Sequence, residues 1–104
     1  MTTSAQLRRY PRYRCDRHLR LFLDHGATLD GWATDISLCG VGAVVAERVH
    51  PGEKVRLEMA GIPGKGNLIL DAVVRRREGA MHGLELVDVS AVQQGMIKQI
   101  CMQA

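Results

Sequence analysis

The chain has 104 residues, of which 46% are hydrophobic, 24% charged and 4% aromatic, and its formal net charge is +3. This is the size of one domain with one core, and such a chain buries roughly two-thirds of its unfolded surface without metal or disulfide support. Its 11 glycines, three prolines and evenly spread apolar residues exclude collagen-like, coiled-coil and wholly disordered chains.

The first element in the chain is an arginine-rich leader. Residues 1–20 contain six arginines, one acid and no lysine, and they lack the apolar block of a secretory signal. Arginine has a planar fork that binds phosphate or a guanine edge through two parallel hydrogen bonds, so the leader favours a shaped anion as partner. A solvated basic arm is the alternative. We expect residues 1–17 to form a flexible arm, because they include few large apolar side chains.

Six segments after the leader have the character of strands. Leu19, Leu21 and Leu23 alternate with polar or outward positions, which is the pattern of a strand with one buried face. The segment from Ala27 to Ser37 is similar, but Asp30-Gly31 predicts a hairpin tip or a bulge within it. The remaining strands are predicted at 40–45, 55–59, 68–77 and 81–87. Short antiparallel strands with tight turns predict a mainly β barrel or sandwich over residues 18–89.

The end of the chain predicts a short α-helix over residues 90–103. Ser90 and Gln93 have the spacing of a capping box, and apolar residues follow at helical intervals. Gly95 costs this helix about 1 kcal/mol relative to alanine, so the helix should depend on docking against the barrel. No internal repeat or linker divides the chain, and we therefore expect a single domain over residues 1–104.

The cysteines and the length of the apolar segments indicate in which cellular compartment the chain is expected. Cys15, Cys39 and Cys101 are an odd and widely spaced set, which predicts reduced thiols. Cys15 and His18 form a C-x-x-H pair, but a structural zinc site needs a second pair, so no metal is predicted. The longest nearly uncharged apolar stretch, 36–46, is about half the ~20 residues that cross a bilayer. We expect a cytoplasmic chain that does not insert into membranes.

Two short motifs carry the candidate chemistry. The first is Arg8-x-x-x-Arg12 in the leader, and the second is Asp35-x-Ser37-x-x-Gly40 between two predicted strands. Because side chains alternate along a strand, Asp35 and Ser37 are expected on one face, where they offer a carboxylate and a hydroxyl side by side. Gly40 would allow a sharp turn or the close approach of a ligand.

In order and spacing these motifs resemble the signature of the PilZ domain, the bacterial receptor module for cyclic diguanylate (c-di-GMP). The resemblance implies a six-stranded antiparallel β-barrel with an N-terminal arm and a C-terminal helix, and Gly83-Leu84-Glu85-Leu86 resembles the family's late strand. It implies a receptor rather than an enzyme, with c-di-GMP as regulatory ligand and no cofactor or metal. Binding would order the arm and alter the surface seen by an effector protein, in a monomer or weak dimer.

The resemblance also implies a set of ligand-binding residues. The arginine guanidinium groups can donate hydrogen bonds to phosphate oxygens and to guanine O6 and N7. A carboxylate can accept from guanine N1–H and N2–H, and a serine hydroxyl can donate or accept a hydrogen bond. Arg75 or Arg77 is a further candidate for the same barrel face. The implied binding residues are Arg8, Arg12, Asp35, Ser37 and Gly40, with Arg9 as an additional contact.

Three other functions are alternatives to a c-di-GMP receptor. A hydrolase or transferase is disfavoured, because the chain has no G-x-S-x-G, H-E-x-x-H or P-loop motif. Binding to a single-stranded nucleic acid polymer requires aromatic platforms, whereas the chain has one Phe, one Trp and two Tyr, and Asp35 would repel a phosphate backbone. The third alternative, a PilZ-like adaptor that does not bind nucleotide, stays open.

Overall fold

The strands close into a barrel, as a computed structural model that describes residues 10–103 shows. The strand order around the barrel is β1-β2-β3-β6-β5-β4, all neighbours are antiparallel, and every strand is therefore paired on both sides. This confirms the predicted six-stranded barrel with a C-terminal helix. The elements are β1 (Tyr13–Leu23), β2 (Thr28–Ile36), β3 (Gly40–Val45), β4 (Lys54–Ala60), β5 (Asn67–Glu78), β6 (Met81–Val87) and α1 (Ala91–Gln103).

The core fills the inside of the barrel with alternate residues from each strand. Each large apolar side chain that becomes fully buried contributes about 1.5–3 kcal/mol of transfer free energy. On β1 the buried positions are Leu19 and Leu21, and β4 alternates in the same way, with Val55, Leu57 and Met59 buried. The largest fully buried apolar side chains are those of Leu19, Leu21, Ile36, Leu57, Met59, Leu68, Leu70, Leu84, Ile97 and Ile100.

Helix α1 packs against the barrel through Ile97 and Ile100, which are buried. The predicted capping box is present: Gln93 N donates to Ser90 Oγ at 3.1 Å, and Ser90 N donates to Gln93 Oε1 at 2.8 Å. Gln93 also donates through Nε2 to the Ile69 carbonyl at 2.6 Å, which ties the start of the helix to β5. Within residues 10–103, no helix has the length and apolar character to cross a membrane.

Strand β1 begins at Tyr13, inside the stretch that was expected to belong to the arm. Arg14 pairs with Asp35 of β2, and the register then shifts before Arg17. Asp16 lies in this irregularity with a φ of 46°. A bulge of this kind interrupts the alternation of buried and exposed residues, so the first residues of β1 do not show the sequence pattern of a strand. Arg8 and Arg9 lie outside the described residues.

The predicted interruption of β2 at Asp30-Gly31 is wrong. Both residues pair in register with β1, opposite Arg20 and Leu19, and the strand continues through them. Glycine is needed at position 31 because a Cβ atom there would lie 2.5 Å from the Val44 carbonyl oxygen of β3. The glycine therefore serves the close approach of two backbones rather than a turn.

Candidate functional site

Four residues on neighbouring strands form a row across the outer face of the barrel. Asp35 of β2 pairs with Gly42 of β3, Gly42 pairs with Gly83 of β6, and Gly83 pairs with Arg76 of β5. A Cβ atom on Gly42 would lie 2.5 Å from Asp35 Oδ2, and one on Gly83 would lie 3.0 Å from Arg76 Cγ. The carboxylate and the guanidinium-bearing chain thus occupy the space above the two glycines.

This row forms the floor of a groove, which we call the Asp35–Arg76 groove. Its volume is about 250 Å³. That is below the roughly 300–1,000 Å³ of a complete small-molecule pocket, so the groove is too small to enclose a whole ligand of that size. The groove is lined by Arg12, Asp35, Gly42, Arg76, Glu78, Met81, His82 and Gly83.

Arg12 and Asp35 come from the two separate motifs and form an ion pair in this groove. Arg12 Nη1 lies 3.2 Å from Asp35 Oδ1, and their side chains are 33% and 27% exposed. Asp35 Oδ2 accepts from Thr34 Oγ1 at 3.3 Å, whereas Oδ1 is buried and accepts no well-aligned hydrogen bond. At 3.2 Å the Arg12 guanidinium attracts Asp35 Oδ1 electrostatically, but Oδ1 has no hydrogen-bond partner. As a carboxylate oxygen it is an acceptor, and it is covered in this structure.

Ser37 lies behind this groove rather than beside Asp35. Its side chain is buried, and its Oγ accepts from Gly40 N at 3.1 Å and from Cys39 N at 3.3 Å. Ser37 N also donates to the Gly40 carbonyl at 2.9 Å. The expected pair of a carboxylate and a hydroxyl on one open face is thus absent, because the chain leaves the strand at Ile36 and the alternation ends there. Ser37 and Gly40 hold the loop that orients the end of β2.

Arg76 lines the groove, whereas the run Arg75-Arg76-Arg77 in the sequence indicates Arg75 or Arg77 for this face. A register shift between Val74 and Arg76 changes which residues point outward. Arg75 instead forms an ion pair with Glu85, with Nε 2.7 Å from Oε1, and Arg77 does not line the groove. The sequence signal that could have identified Arg76 is Gly83, whose missing side chain leaves room for a long neighbour on β5.

His82 supports the groove from the inside of the barrel. It is 1% exposed, its Nε2 accepts from Val49 N at 3.1 Å, and its Nδ1 lies 2.9 Å from the Ala80 carbonyl. These partners require a neutral imidazole with its proton on Nδ1, a tautomer that we assign from the hydrogen bonds. His82 therefore has a structural role beneath the groove.

A larger cavity of about 680 Å³ lies elsewhere on the barrel, around the start of β4 and the end of β6. Its walls include Phe22, Val73 and Asp88, and the ion pair Arg56–Asp71 spans it with Nε 3.0 Å from Oδ1. The charges of Arg56 and Asp71 therefore neutralise each other. The smaller Asp35–Arg76 groove, with an unused acceptor and an arginine beside it, is the better candidate for recognising a charged ligand. Within residues 10–103 no three His, Cys, Asp or Glu side chains are grouped to hold a metal ion.

Comparisons with known proteins agree with the fold. The PilZ domain of YcgR from Escherichia coli, solved with c-di-GMP, superposes with a TM-score of 0.77 at 18% identity, covering 91% of this chain and 88% of that one. The PilZ domain of CeSA from a cellulose-synthesising bacterium gives a TM-score of 0.70 at 14% identity, covering 89% and 96%.

The inhibitor of motility MotI/DgrA from Bacillus subtilis gives a TM-score of 0.75 at 23% identity, with 91% of this chain covered. This chain spans about half of MotI, because the match covers 49% of that protein. A search of curated proteins finds no match. The match to the PilZ domain family extends over residues 6–103, nearly the whole sequence, and this chain therefore belongs to the PilZ domain family.

Proposed function

We propose that this chain is a non-catalytic receptor for c-di-GMP and that the Asp35–Arg76 groove binds one guanine of the ligand. The observation that carries the proposal is the meeting of Arg12 and Asp35 at 3.2 Å, since it joins the two sequence motifs at one place. The YcgR structures that resemble this chain contain c-di-GMP, which supports the same ligand class here.

Binding proceeds by an exchange of partners. In the free protein Arg12 and Asp35 neutralise each other, and a half-exposed ion pair of this kind stabilises the protein by only about 0–1 kcal/mol. A phosphodiester of c-di-GMP takes the Arg12 guanidinium, and guanine N1–H and N2–H donate to Asp35. Each new hydrogen bond to a charged group contributes about 1.5–3 kcal/mol, so the exchange favours the complex.

The leader completes the site. The groove holds one base, so the second base and the remaining phosphate charge require further cations, and Arg8 and Arg9 precede Arg12 closely enough to supply them. Closure of residues 1–12 over the ligand changes the protein surface beside the groove. An effector protein that recognises this altered surface would respond to c-di-GMP.

Calorimetric titration of c-di-GMP tests the proposal. We expect the unmodified chain to bind, and Arg12→Ala and Asp35→Asn to bind roughly 10- to 150-fold more weakly, the loss of one charged hydrogen bond. Arg56→Ala is the matched control, because Arg56 pairs with Asp71 in the other cavity. Absence of binding by the unmodified chain would overturn the proposal, and equal losses in all three variants would refute this site.

A further inference from the structure

We propose that Thr34 is a positioning residue of the Asp35–Arg76 groove, whose hydroxyl holds the Asp35 carboxylate in the orientation that receives guanine. This inference rests on the proposed function and adds a residue outside both motifs. Thr34 acts through Asp35 and does not touch the ligand. Three features of the structure support this role: a bulge in β2, the hydrogen bonds of the Thr34 hydroxyl, and the missing side chain at Gly42.

A β-bulge places Thr34 and Asp35 next to each other on the outside of the barrel. Ala33 pairs with Ala43, and Asp35 pairs with Gly42. Thr34 is therefore an extra residue that faces no partner on β3. Ala33 is buried, and without the extra residue Asp35 would also point inward, because side chains two positions apart lie on the same face of a strand. Instead Thr34 and Asp35 are both partly exposed, which brings a hydroxyl beside the carboxylate.

The Thr34 hydroxyl contacts two acceptors. Its Oγ1 lies 3.3 Å from Asp35 Oδ2 and 3.3 Å from the Gly42 carbonyl oxygen. A hydroxyl has one proton, so the two acceptors share it. In the free protein the Arg12 guanidinium lies 3.2 Å from Asp35 Oδ1 and neutralises the carboxylate. When the ligand takes Arg12, the carboxylate loses this cation, and its charge draws the hydroxyl proton to Asp35 because hydrogen bonds to a charged acceptor are the stronger ones.

The carboxylate needs such a hydrogen bond because the glycine beside it leaves open space. A Cβ atom on Gly42 would lie 2.5 Å from Asp35 Oδ2, so the carboxylate occupies the place of the missing side chain. The terminal torsion of an aspartate side chain is broad, and the carboxylate turns easily unless a partner fixes it. Thr34 is that partner once Arg12 has left. Each carboxylate oxygen accepts about two hydrogen bonds, so Oδ2 can still accept from guanine.

Affinity for c-di-GMP across a Thr34 series tests this role. Thr34→Val keeps the branched shape and removes the hydroxyl, and we expect it to bind about tenfold more weakly, the lower end for one hydrogen bond to a charged group. Thr34→Ser restores the hydroxyl and should bind within a few-fold of the unmodified chain. Thr28→Val is the matched control and should bind normally, because Thr28 lies at the other end of β2. Melting temperatures verify that the variants are folded, and Thr34→Ala provides a second variant without the hydroxyl.

A double-mutant cycle with Asp35→Ala separates positioning from direct contact. If the hydroxyl acts through the carboxylate, Thr34→Val should weaken binding far less in the Asp35→Ala background than in the unmodified chain. Losses that add independently would show that Thr34 contacts the ligand itself, and they would overturn the positioning role.

Failure of this inference and failure of the proposed function give different results. If the unmodified chain does not bind c-di-GMP, both fail together. If it binds and Thr34→Val binds equally well, the inference is wrong and the receptor proposal stands. If Thr34→Ser binds as weakly as Thr34→Val, the methyl group of threonine matters rather than its hydroxyl, and positioning is refuted. A loss in Thr28→Val equal to that in Thr34→Val would overturn the assignment to Thr34.

Discussion

At the scale of single residues, Ser37 organises the loop that precedes β3. Its buried hydroxyl accepts from two backbone N–H groups, those of Cys39 and Gly40. Ser37→Ala would leave both donors short of an acceptor, which costs about 1–3 kcal/mol, and a domain of this size would melt several degrees lower. Differential scanning calorimetry measures this shift. A variant with an unchanged melting temperature but weaker c-di-GMP binding would instead assign Ser37 to direct ligand contact.

Two partly buried thiols make the stability of the fold depend on pH in the alkaline range. Burial raises the pKa of Cys15 and of Cys101 above the ordinary thiol value. The folded state therefore favours the protonated thiols, and this stabilisation is complete below the unfolded pKa and lost as pH rises through the raised values.

We predict that the free energy of unfolding falls as the pH rises above about 8.5, the ordinary thiol pKa. Replacing Cys15 and Cys101 together by alanine should flatten this decline relative to the unmodified chain. Urea unfolding at a series of pH values measures both chains in parallel. Equal slopes in the two chains would show that thiol ionisation does not contribute.

At the scale of elements, the contact between β2 and β3 controls the position of the Asp35 carboxylate. A Cβ on residue 42 would lie 2.5 Å from Asp35 Oδ2, which is the far end of a side chain. Gly42→Ala should therefore rotate the carboxylate away with little effect on stability and weaken c-di-GMP binding at least about tenfold, the loss of one charged hydrogen bond.

A second glycine supplies the control for this experiment. Gly95 lies in α1, and a Cβ atom built on it would meet no other atom within 4 Å, so Gly95→Ala should raise the free energy of unfolding by up to about 1 kcal/mol without altering affinity. Calorimetric titration and chemical denaturation of both variants give the comparison. Normal affinity in Gly42→Ala would show that Asp35 does not need its observed position.

The positions of the strands can be predicted from the alternation of apolar and polar residues wherever a strand has no bulge. The leucines of β1 and the capping box of α1 predict their elements correctly. The prediction fails at bulges, because an extra residue reverses the side of the sheet to which all later side chains of the strand point. The amino-acid composition of the strand does not reveal such an extra residue. Because of the shift between Val74 and Arg76, alternation along β5 indicates Arg75 or Arg77 for the groove, whereas Arg76 lines it. The turn after Ile36 likewise explains why Ser37 was expected on an open face.

At the scale of the whole molecule, barrel closure brings the site together. Asp35 and Arg76 are distant in sequence, and two glycine-bearing strands between them bring them into one row. The motifs alone indicate Arg12 and Asp35 as partners, since their spacing resembles the PilZ signature. The row of Gly42, Gly83 and Arg76 depends on the pairing of β3 with β6, two strands that are far apart in the chain, and on the register of the β5–β6 hairpin. Local patterns contain no information on such pairing.

Amide chemical shifts identify the surface of the barrel to which c-di-GMP binds. Titration of c-di-GMP into ¹⁵N-labelled protein should move the amide signals of Asp35, Gly42, Gly83 and Arg76, with saturation as the ligand is added. The amides of Val55 and Val73, which line the larger cavity of about 680 Å³, should stay in place. Shifts confined to Val55, Val73 and their neighbours would show that the ligand binds in the larger cavity and not in the Asp35–Arg76 groove.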